Sequence, residues 1–480
     1  MNEIYRFRRI ENLLGQHQEL VKQEIYFASP EQLNDPMEGY RDIFWKGDQI
    51  VWENFLINYL RCVSHVFFLY LLLGESKKLT VDDLPLHPYG YGNETPQSLS
   101  LFEKIKVVFF KNKFIKTLPD ALTGRTSPIR RRELLPYLSF VQHYAINAVS
   151  DQYFQAGLST TRLFYHDLPE MDKYLSKSHL LAKLTNRLEK KLVGVTNSAD
   201  IIFSMADQVR KQHSLAVKYN DTTSEHLNSN AYFLTVELPD SFLDKLEKIM
   251  FSDWYSASFL GNCTNSAIWG HYADNHRGVC LIFSPDYIEE QMTLNLTKSH
   301  GHNYDEPLSG LQQHYFQKIG YHNKHVAVDF FRSLGKAPLY TLNHLWYKNS
   351  LGKTSVCATD VNTDKWREEY WATAKKAYSV KLEEWAYEEE YRLVLNDILY
   401  EYNDPVKRKL TYDFQQLKGV IFGMKTPVAD KQQIIKIIRE KCKAQKREQF
   451  EFYEAYYNQS TGKIDKFKLN MFDKIPTKSF

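Results

Sequence analysis

The residues best suited to chemistry lie late in the chain, in Trp385-Ala386-Tyr387-Glu388-Glu389-Glu390-Tyr391-Arg392. If Glu388 to Leu395 is a strand, its side chains alternate between faces, and Glu388, Glu390 and Arg392 share one wall. Two carboxylates and a guanidinium on one wall are costly to desolvate unless they act on something. The plainer reading is a surface strand laced by ion pairs. A second set occupies Asn262 to Gly278, where Ile268-Trp269-Gly270-His271-Tyr272-Ala273 reads as a helix and Asp274-Asn275-His276-Arg277-Gly278 as its exit turn. Trp269 and Tyr272, three apart on a helix, lie close on its surface and could sandwich a planar ring. His271 or His276 could donate to a phosphate or a hydroxyl. The alternative is a structural helix whose rings are core and whose histidines cap it.

Metal chemistry has weaker support. His271 and His276 are five apart, whereas a spacing of four aligns two ligands on one helix face, so no metal site is expected there. Asp35, Glu38, Glu388 and Glu390 are hard oxygen donors and keep a magnesium-dependent nuclease open as an alternative. The chain has no phosphate-binding Gly-rich loop, no G-x-S-x-G elbow and no cysteine in a nucleophile context.

The elements that must position these residues are legible in part. Ile4 to Arg8 alternates, with Tyr5 and Phe7 on one side and Arg6 and Arg8 on the other, which predicts a first strand. Glu11 to Lys22 reads as a helix. Ile25-Tyr26-Phe27 reads as a strand ending in the turn-prone Asn34-Asp35-Pro36. From Trp45 to Asn228 helical patterns dominate, with Leu181, Leu184, Leu188 and Leu192 on one face. The basic stretch from Lys104 to Arg132 is either a nucleic-acid patch or a solvated helical face. Strand signals return at Ala231 to Leu238, Met250 to Phe259 and Gly278 to Phe283. Residues 284–374 are polar, with few strong patterns. Sheet character resumes at Ser379 to Asn396 and at Gly419 to Gly423. Pro427 opens a helix with Ile434, Ile435 and Ile438 inside, and a hairpin closes the chain. The expected class is α+β, with a split mixed sheet built from residues 1–45, 231–285 and 379–447. A large helical insertion at 46–230, a second insertion at 286–378 and a hairpin tail at 448–480 complete it.

Composition sets outer bounds. The 480 residues carry a net charge of +3, with 43% hydrophobic and 25% charged residues, as soluble globular proteins do. Near-neutrality disfavours a protein that coats nucleic acid. Five widely spaced cysteines without C-x-x-C point to a reduced, cytoplasmic chain. The N-terminus lacks the apolar core of a secretion signal. The run Val66 to Leu73 is too short to span a bilayer and reads as a buried helix, so no membrane partner is expected.

Three blocks together resemble the bacterial family named domain of unknown function 2971. These are Tyr5-Arg6-Phe7-Arg8 with Tyr26 to Pro30 and Asn34 to Glu38; Trp269 to Ala273 with His276 and Gly278; and Trp385, Glu388, Glu390, Tyr391 and Arg392 followed by Gly419 to Gly423. Their order is also similar to that of ADP-ribosyltransferases, although no clear serine-threonine-serine motif is present. That likeness implies an NAD-consuming enzyme, a transferase or NAD glycohydrolase, serving as a toxin or defence effector. It implies Arg6 or Arg8 as the first-strand cation, Trp269 or Tyr272 as the ring on nicotinamide, and Glu388 or Glu390 as the catalytic glutamate. His271 and Tyr272 join the expected catalytic set. Asn34, Asp35, His276 and Arg392 join the expected set that contacts a nucleotide-like small molecule. The acceptor would be a protein or a nucleic acid. A third possibility is a module that binds a ligand without turning it over.

Overall fold

The computed structural model describes residues 2–87, 90, 95–164, 168–191, 198–220, 229–302, 307–397 and 401–473. The chain divides into two compact units. One comprises Met1–Tyr40, Asp253–Val326 and Ala374–Phe480, the other Arg41–Ser252 and Ala327–Thr373.

The first unit is built on one mixed sheet. Its strands are β1 (Ile4–Arg8), β2 (Asp253–Leu260), β3 (Val279–Phe283), β4 (Gln317–Lys318), β5 (Glu390–Asp397), β6 (Leu417–Phe422), β7 (Glu451–Asn458) and β8 (Lys463–Lys468). Their order is β4-β5-β2-β1-β3-β6-β7-β8. All neighbours are antiparallel except β6 and β7. A parallel pair needs a crossover, and the helix Val428–Ala444 supplies it, burying Ile434, Ile435 and Ile438 as their spacing predicts. The hairpin β7–β8 also follows the sequence pattern.

Alternation in β1 divides its side chains as expected. Phe7 packs with Leu260, Ile268, Trp269 and Ile282 on one face of the sheet, and Tyr5 joins their edge. Ile4 packs with Phe259, Leu281 and Val420 on the other. Because both faces are covered, β3 is a continuous apolar run, Val279-Cys280-Leu281-Ile282-Phe283. One irregularity matters for the site. β1 and β2 share a single registered pair, Tyr5 with Leu260. Farther along, β2 bonds instead to Ala28, whose N–H donates to the Ser256 carbonyl at 2.8 Å and whose carbonyl accepts from the Ser256 N–H at 2.9 Å. The strands therefore part where Arg6 and Arg8 emerge.

The second unit is mainly helical. Its principal helices are Gln49–Leu73, Pro96–Lys111, Lys113–Thr123, Arg131–Gln155, Leu168–Lys191, Ser198–Asn220 and Leu238–Met250. A small sheet joins Asp42–Trp45 to Ile129–Arg130 and Ala327–Asp329. The α+β class holds.

Several elements depart from the sequence pattern. Glu11 to Lys22 is two short helices, Ile10–Leu14 and Glu19–Lys22, interrupted after Gly15 and restarted from a left-handed Gln18. Ala231 to Leu238 is helical, passing through a π-helical turn at Phe233–Glu237 into Leu238–Met250. A strand is expected over Ala231 to Leu238, but Phe233, Leu234 and Leu238 bury at helical spacing, and tertiary packing overrides propensity. The polar stretch after Ser284 holds an antiparallel sheet, Asp286–Ile288 with Gln291–His302 and Pro307–Tyr315. Its inward residues, Leu294 and Leu296, are spaced by two among polar neighbours.

In Leu168–Lys191 the leucine stripe read from the sequence faces outward at Leu184 and Leu188. Leu184 and Leu188 are exposed, whereas Ala182, Thr185 and Glu189 are buried; Leu192 lies outside the described residues. Glu189 is held by Arg125 at 2.6 Å. Arg125 also pairs with Glu133, Arg130 with Asp42 and Arg131 with Asp240, so these three arginines of the basic stretch are neutralised by carboxylates of their own unit. The run Val66 to Leu73 ends a 25-residue helix that is long and apolar enough to cross a membrane. Trp52, Phe55, Tyr59 and Phe67 of that helix are buried within its unit.

Two glycines hold the site-bearing turn against the sheet. A Cβ on Gly278 would meet the Arg8 carbonyl, and one on Gly423 would meet the carbonyls of His276 and Gly278. Backbone cannot yield as a flexible side chain can. Gly278→Ala and Gly423→Ala should each lower stability by about 2 kcal/mol, read as a reduced urea midpoint at unchanged slope.

Candidate functional site

β5 begins at Glu390, two residues later than the sequence pattern suggests. Glu383–Glu388 is a 3-10 helix, and Glu389 takes a left-handed φ of 48°. Glu388 therefore reaches the cluster from the turn, while Glu390 and Arg392 share a strand face. All three are 1% exposed, so the surface-strand alternative does not hold.

The cluster is a closed ion-pair network. Arg392 donates through Nε and Nη2 to both oxygens of Glu390 at 2.7 and 2.8 Å. Through Nη1 and Nη2 it donates to both oxygens of Glu38 at 2.6 and 2.9 Å. Lys381 Nζ lies 2.8 Å from Glu388, 3.0 Å from Glu390 and 3.7 Å from Glu38. The Tyr272 hydroxyl donates to Glu388 Oε1 at 2.5 Å, and the Glu390 N–H donates to the Tyr321 hydroxyl at 2.9 Å. Burial alone would raise the Glu390 carboxyl; Arg392 and Lys381 outweigh it and hold it at about 2. Burial, followed by the Glu388 charge, pushes the Tyr272 phenol well above its ordinary value.

Beside this network is a cavity of about 350 Å³, lined among others by Arg6, Arg8, Asn34, His271, Tyr272, Lys381 and Arg392. The two cations of β1 differ sharply. Arg8 is clamped by Glu19, with Nε donating at 2.7 Å. Arg6 is 6% exposed and donates only to carbonyls, to Ser258 at 3.0 Å and to Tyr26 at 3.4 Å, with its guanidinium 5.2 Å from the Phe259 ring. Among the described residues no carboxylate lies within ion-pair distance of it. Burial, with the Arg8 charge added, lowers its pKa to about 9. A buried cation without a counter-ion, on a cavity wall, carries an uncompensated desolvation cost.

Six of the residues singled out by sequence thus line one cavity: Arg6, Arg8, Asn34, His271, Tyr272 and Arg392. Glu388 and Glu390 stand behind it, joined through Tyr272, Lys381 and Arg392. Three others do not take part. Trp269 is fully buried, donates from Nε1 to the Cys263 carbonyl at 2.8 Å and meets Phe7 edge-on at 4.8 Å. It is core and forms no sandwich with Tyr272. His276 stacks on Trp269 at 6.2 Å. It ends a run of left-handed residues, Asp274, Asn275 and His276, the types that best tolerate that conformation. Burial, then Lys425, lowers its pKa. Asp35 turns away and accepts from the Met37 N–H at 2.8 Å.

Sequence reasoning missed Lys381 altogether and saw Glu38 only as a metal ligand. The available signal was a charge between Val380 and Leu382 in an apolar strand. Lys381 now sits where a hard cation would sit among Glu38, Glu388 and Glu390. Among the described residues no group of three or more His, Cys, Asp or Glu side chains converges to hold a metal ion.

Arg392→Met should cost about 3–5 kcal/mol in chemical denaturation, because it strands two buried carboxylates. The folded-state pKa of Glu390 is depressed, so its stabilisation is complete above the ordinary carboxylate value of 4.5 and is lost as pH falls toward 2. Unfolding free energy should drop on the order of 3 kcal/mol across that window, and Glu390→Gln should flatten the drop.

No curated protein and no solved structure matches the chain. A family model described as "Protein of unknown function (DUF2971)" matches residues 268–393. The match leaves out the blocks around Tyr5 to Glu38 and Gly419 to Gly423. Over the stretch from the Tyr272 helix to Arg392 of β5, the likeness to domain of unknown function 2971 is therefore shown.

Proposed function

We propose that the cavity of the sheet-centred unit binds a nucleotide-like molecule through its phosphates and consumes NAD, by ADP-ribosyl transfer or hydrolysis. The observation that carries this reading is Arg6, buried on the cavity wall and satisfied by carbonyls alone. A guanidinium fork suits a pyrophosphate, whose charge would replace the missing counter-ion. Tyr272 and His271 line the same space and present rings to the base or the ribose.

The reaction breaks the nicotinamide–ribose C–N bond. The bonding electron pair leaves with nicotinamide, positive charge develops on the ribose, and water or an acceptor nucleophile bonds to the anomeric carbon and loses a proton. Glu388 is the better candidate for the supporting carboxylate, because one of its oxygens accepts from the neutral Tyr272 phenol, whereas both Glu390 oxygens are held by the Arg392 guanidinium. Glu388 holds the Tyr272 phenol as a donor and sets negative charge beside the cavity, where it stabilises that developing charge. A first-strand arginine with a glutamate on a late strand is the arrangement that the likeness to ADP-ribosyltransferases implies; here Glu390 lies on β5 and Glu388 in the turn that leads into it. The acceptor would be a protein or a nucleic acid.

The same ion pairs favour a second reading. If Glu388 stays committed to Lys381 and Tyr272, the cavity binds its nucleotide without turnover. The nuclease alternative has less support, because Lys381 and Arg392 already occupy the carboxylates it needs.

Incubation with NAD separates these readings. Wild type should release nicotinamide, and Arg6→Gln and Glu388→Gln should each cut the rate at least roughly tenfold. Arg6→Gln should change unfolding stability by no more than about 1 kcal/mol, because it removes a buried charge along with two hydrogen bonds. No nicotinamide, with a melting temperature raised by NAD in wild type but not in Arg6→Gln, would favour the binding module. Neither release nor a thermal shift would defeat both.

A further inference from the structure

Three arginines in and just after β1, namely Arg6, Arg8 and Arg9, line the cavity of the sheet-centred unit, and they are not equivalent. Arg8 is spent on Glu19. Arg6 is buried and held by carbonyls alone. Arg9 follows the end of β1 in extended backbone, with φ −72° and ψ 148°, and leads into the short helix Ile10–Leu14. It is exposed. Among the described residues no carboxylate lies within ion-pair distance of it, and Glu11 on the same rim is no exception. Asn12 lines the cavity beside it, its N–H donating to the Arg9 carbonyl at 3.2 Å. The cavity thus has a second uncompensated cation, at its rim.

Sheet register orders these groups along the cavity. Tyr5 of β1 pairs with Leu260 of β2, and Leu260 pairs with Glu390 of β5. Glu388, in the turn before Glu390, and the Tyr272 hydroxyl bound to it therefore mark the Tyr5 end. From that end β1 runs past Arg6 toward Arg9. Arg6 and Arg9 are three residues apart, roughly 10 Å of extended chain. On the NAD reading proposed above, on which this step rests, the nicotinamide ribose lies toward Glu388, the pyrophosphate at Arg6 and the adenosine ribose toward Arg9. Unmodified NAD offers only neutral hydroxyls at that ribose. A guanidinium is matched there by a phosphate, as where an arginine accommodates the ribose 2′-phosphate in other dinucleotide sites. We infer that the cavity prefers a dinucleotide phosphorylated on its adenosine ribose, NADP in kind, and that Arg9 distinguishes it from NAD.

Titration calorimetry of the full chain with ADP-ribose and with ADP-ribose 2′-phosphate tests this, because neither carries nicotinamide to release. Wild type should bind the phosphorylated ligand about tenfold more tightly, the worth of one charge-assisted contact. Nicotinamide release should favour NADP over NAD by a similar ratio in kcat/KM. Arg9→Gln should bring both ratios to about one, Arg9→Lys should keep most of the preference, and added salt should shrink it. Arg9 is exposed and forms no ion pair, so neither substitution threatens the fold. Equal affinities in wild type, or a preference that survives Arg9→Gln, would overturn this inference and leave the NAD reading standing wherever nicotinamide is still released. Binding of neither ligand, with no nicotinamide from either dinucleotide, would overturn both.

Discussion

The sheet-centred unit depends on one buried guanidinium. Arg392 holds Glu390 on its own strand and Glu38 from a turn 354 residues away in sequence. Three carboxylates and two cations have been taken out of water here, and mutual attraction offsets that only when the geometry is good. The network therefore tolerates few arrangements. If Glu38 leaves, half of the Arg392 fork is empty. If Lys381 leaves, Glu388 keeps only Tyr272. The first 40 residues, the strand around Lys381 and β5 are bound together by charge, although none of them pairs directly with another as strands.

That constraint explains the cavity beside it. Tyr272 belongs to a helix that is anchored in the core one turn earlier, at Ile268 and Trp269. With the helix anchored there, the Tyr272 hydroxyl is delivered to Glu388. β1 leaves β2 after one registered pair, and the space is shared between Ala28, which continues the pairing to β2, and the guanidinium of Arg6, which borrows the Ser258 carbonyl. The cavity is thus a consequence of incomplete strand pairing, edged by a network too tightly paired to collapse into it.

What the sequence disclosed, and what it concealed, follows from the range of the interactions. Alternation in β1, the isoleucines after Pro427 and the terminal hairpin are local patterns, and they were legible. The convergence of Arg6, Arg8, Asn34, His271, Tyr272 and Arg392 was legible only through the ordered set of three motifs. Glu388 was assigned the right neighbours for the wrong reason: a left-handed Glu389, invisible to periodicity, restores it to the side that a continuous strand would have given. Trp269 looked like a ligand platform because sequence shows that a ring is on a helix but not which way that helix faces. His276 looked like a donor, yet its place after Asp274 and Asn275 is explained by a left-handed turn. Lys381 was missed because its partners lie on other elements.

The contrast between Arg392 and Arg6 separates architecture from function. Both are buried guanidinium groups on neighbouring parts of one sheet. Arg392 has four donor contacts to carboxylates, and nothing further is gained by bringing a ligand to it. Arg6 has carbonyls only, which satisfy its N–H groups without cancelling its charge, so its proton is held less tightly than in water. A fold that keeps such a residue carries a standing electrostatic cost, and a neutral side chain of similar size would remove it. On the proposed reading, an anion entering the cavity would recover that cost. On this argument the diagnostic residue of the site is the least conspicuous charge in the motif set, and the acidic pair that first draws the eye is mainly the frame that holds the cavity open.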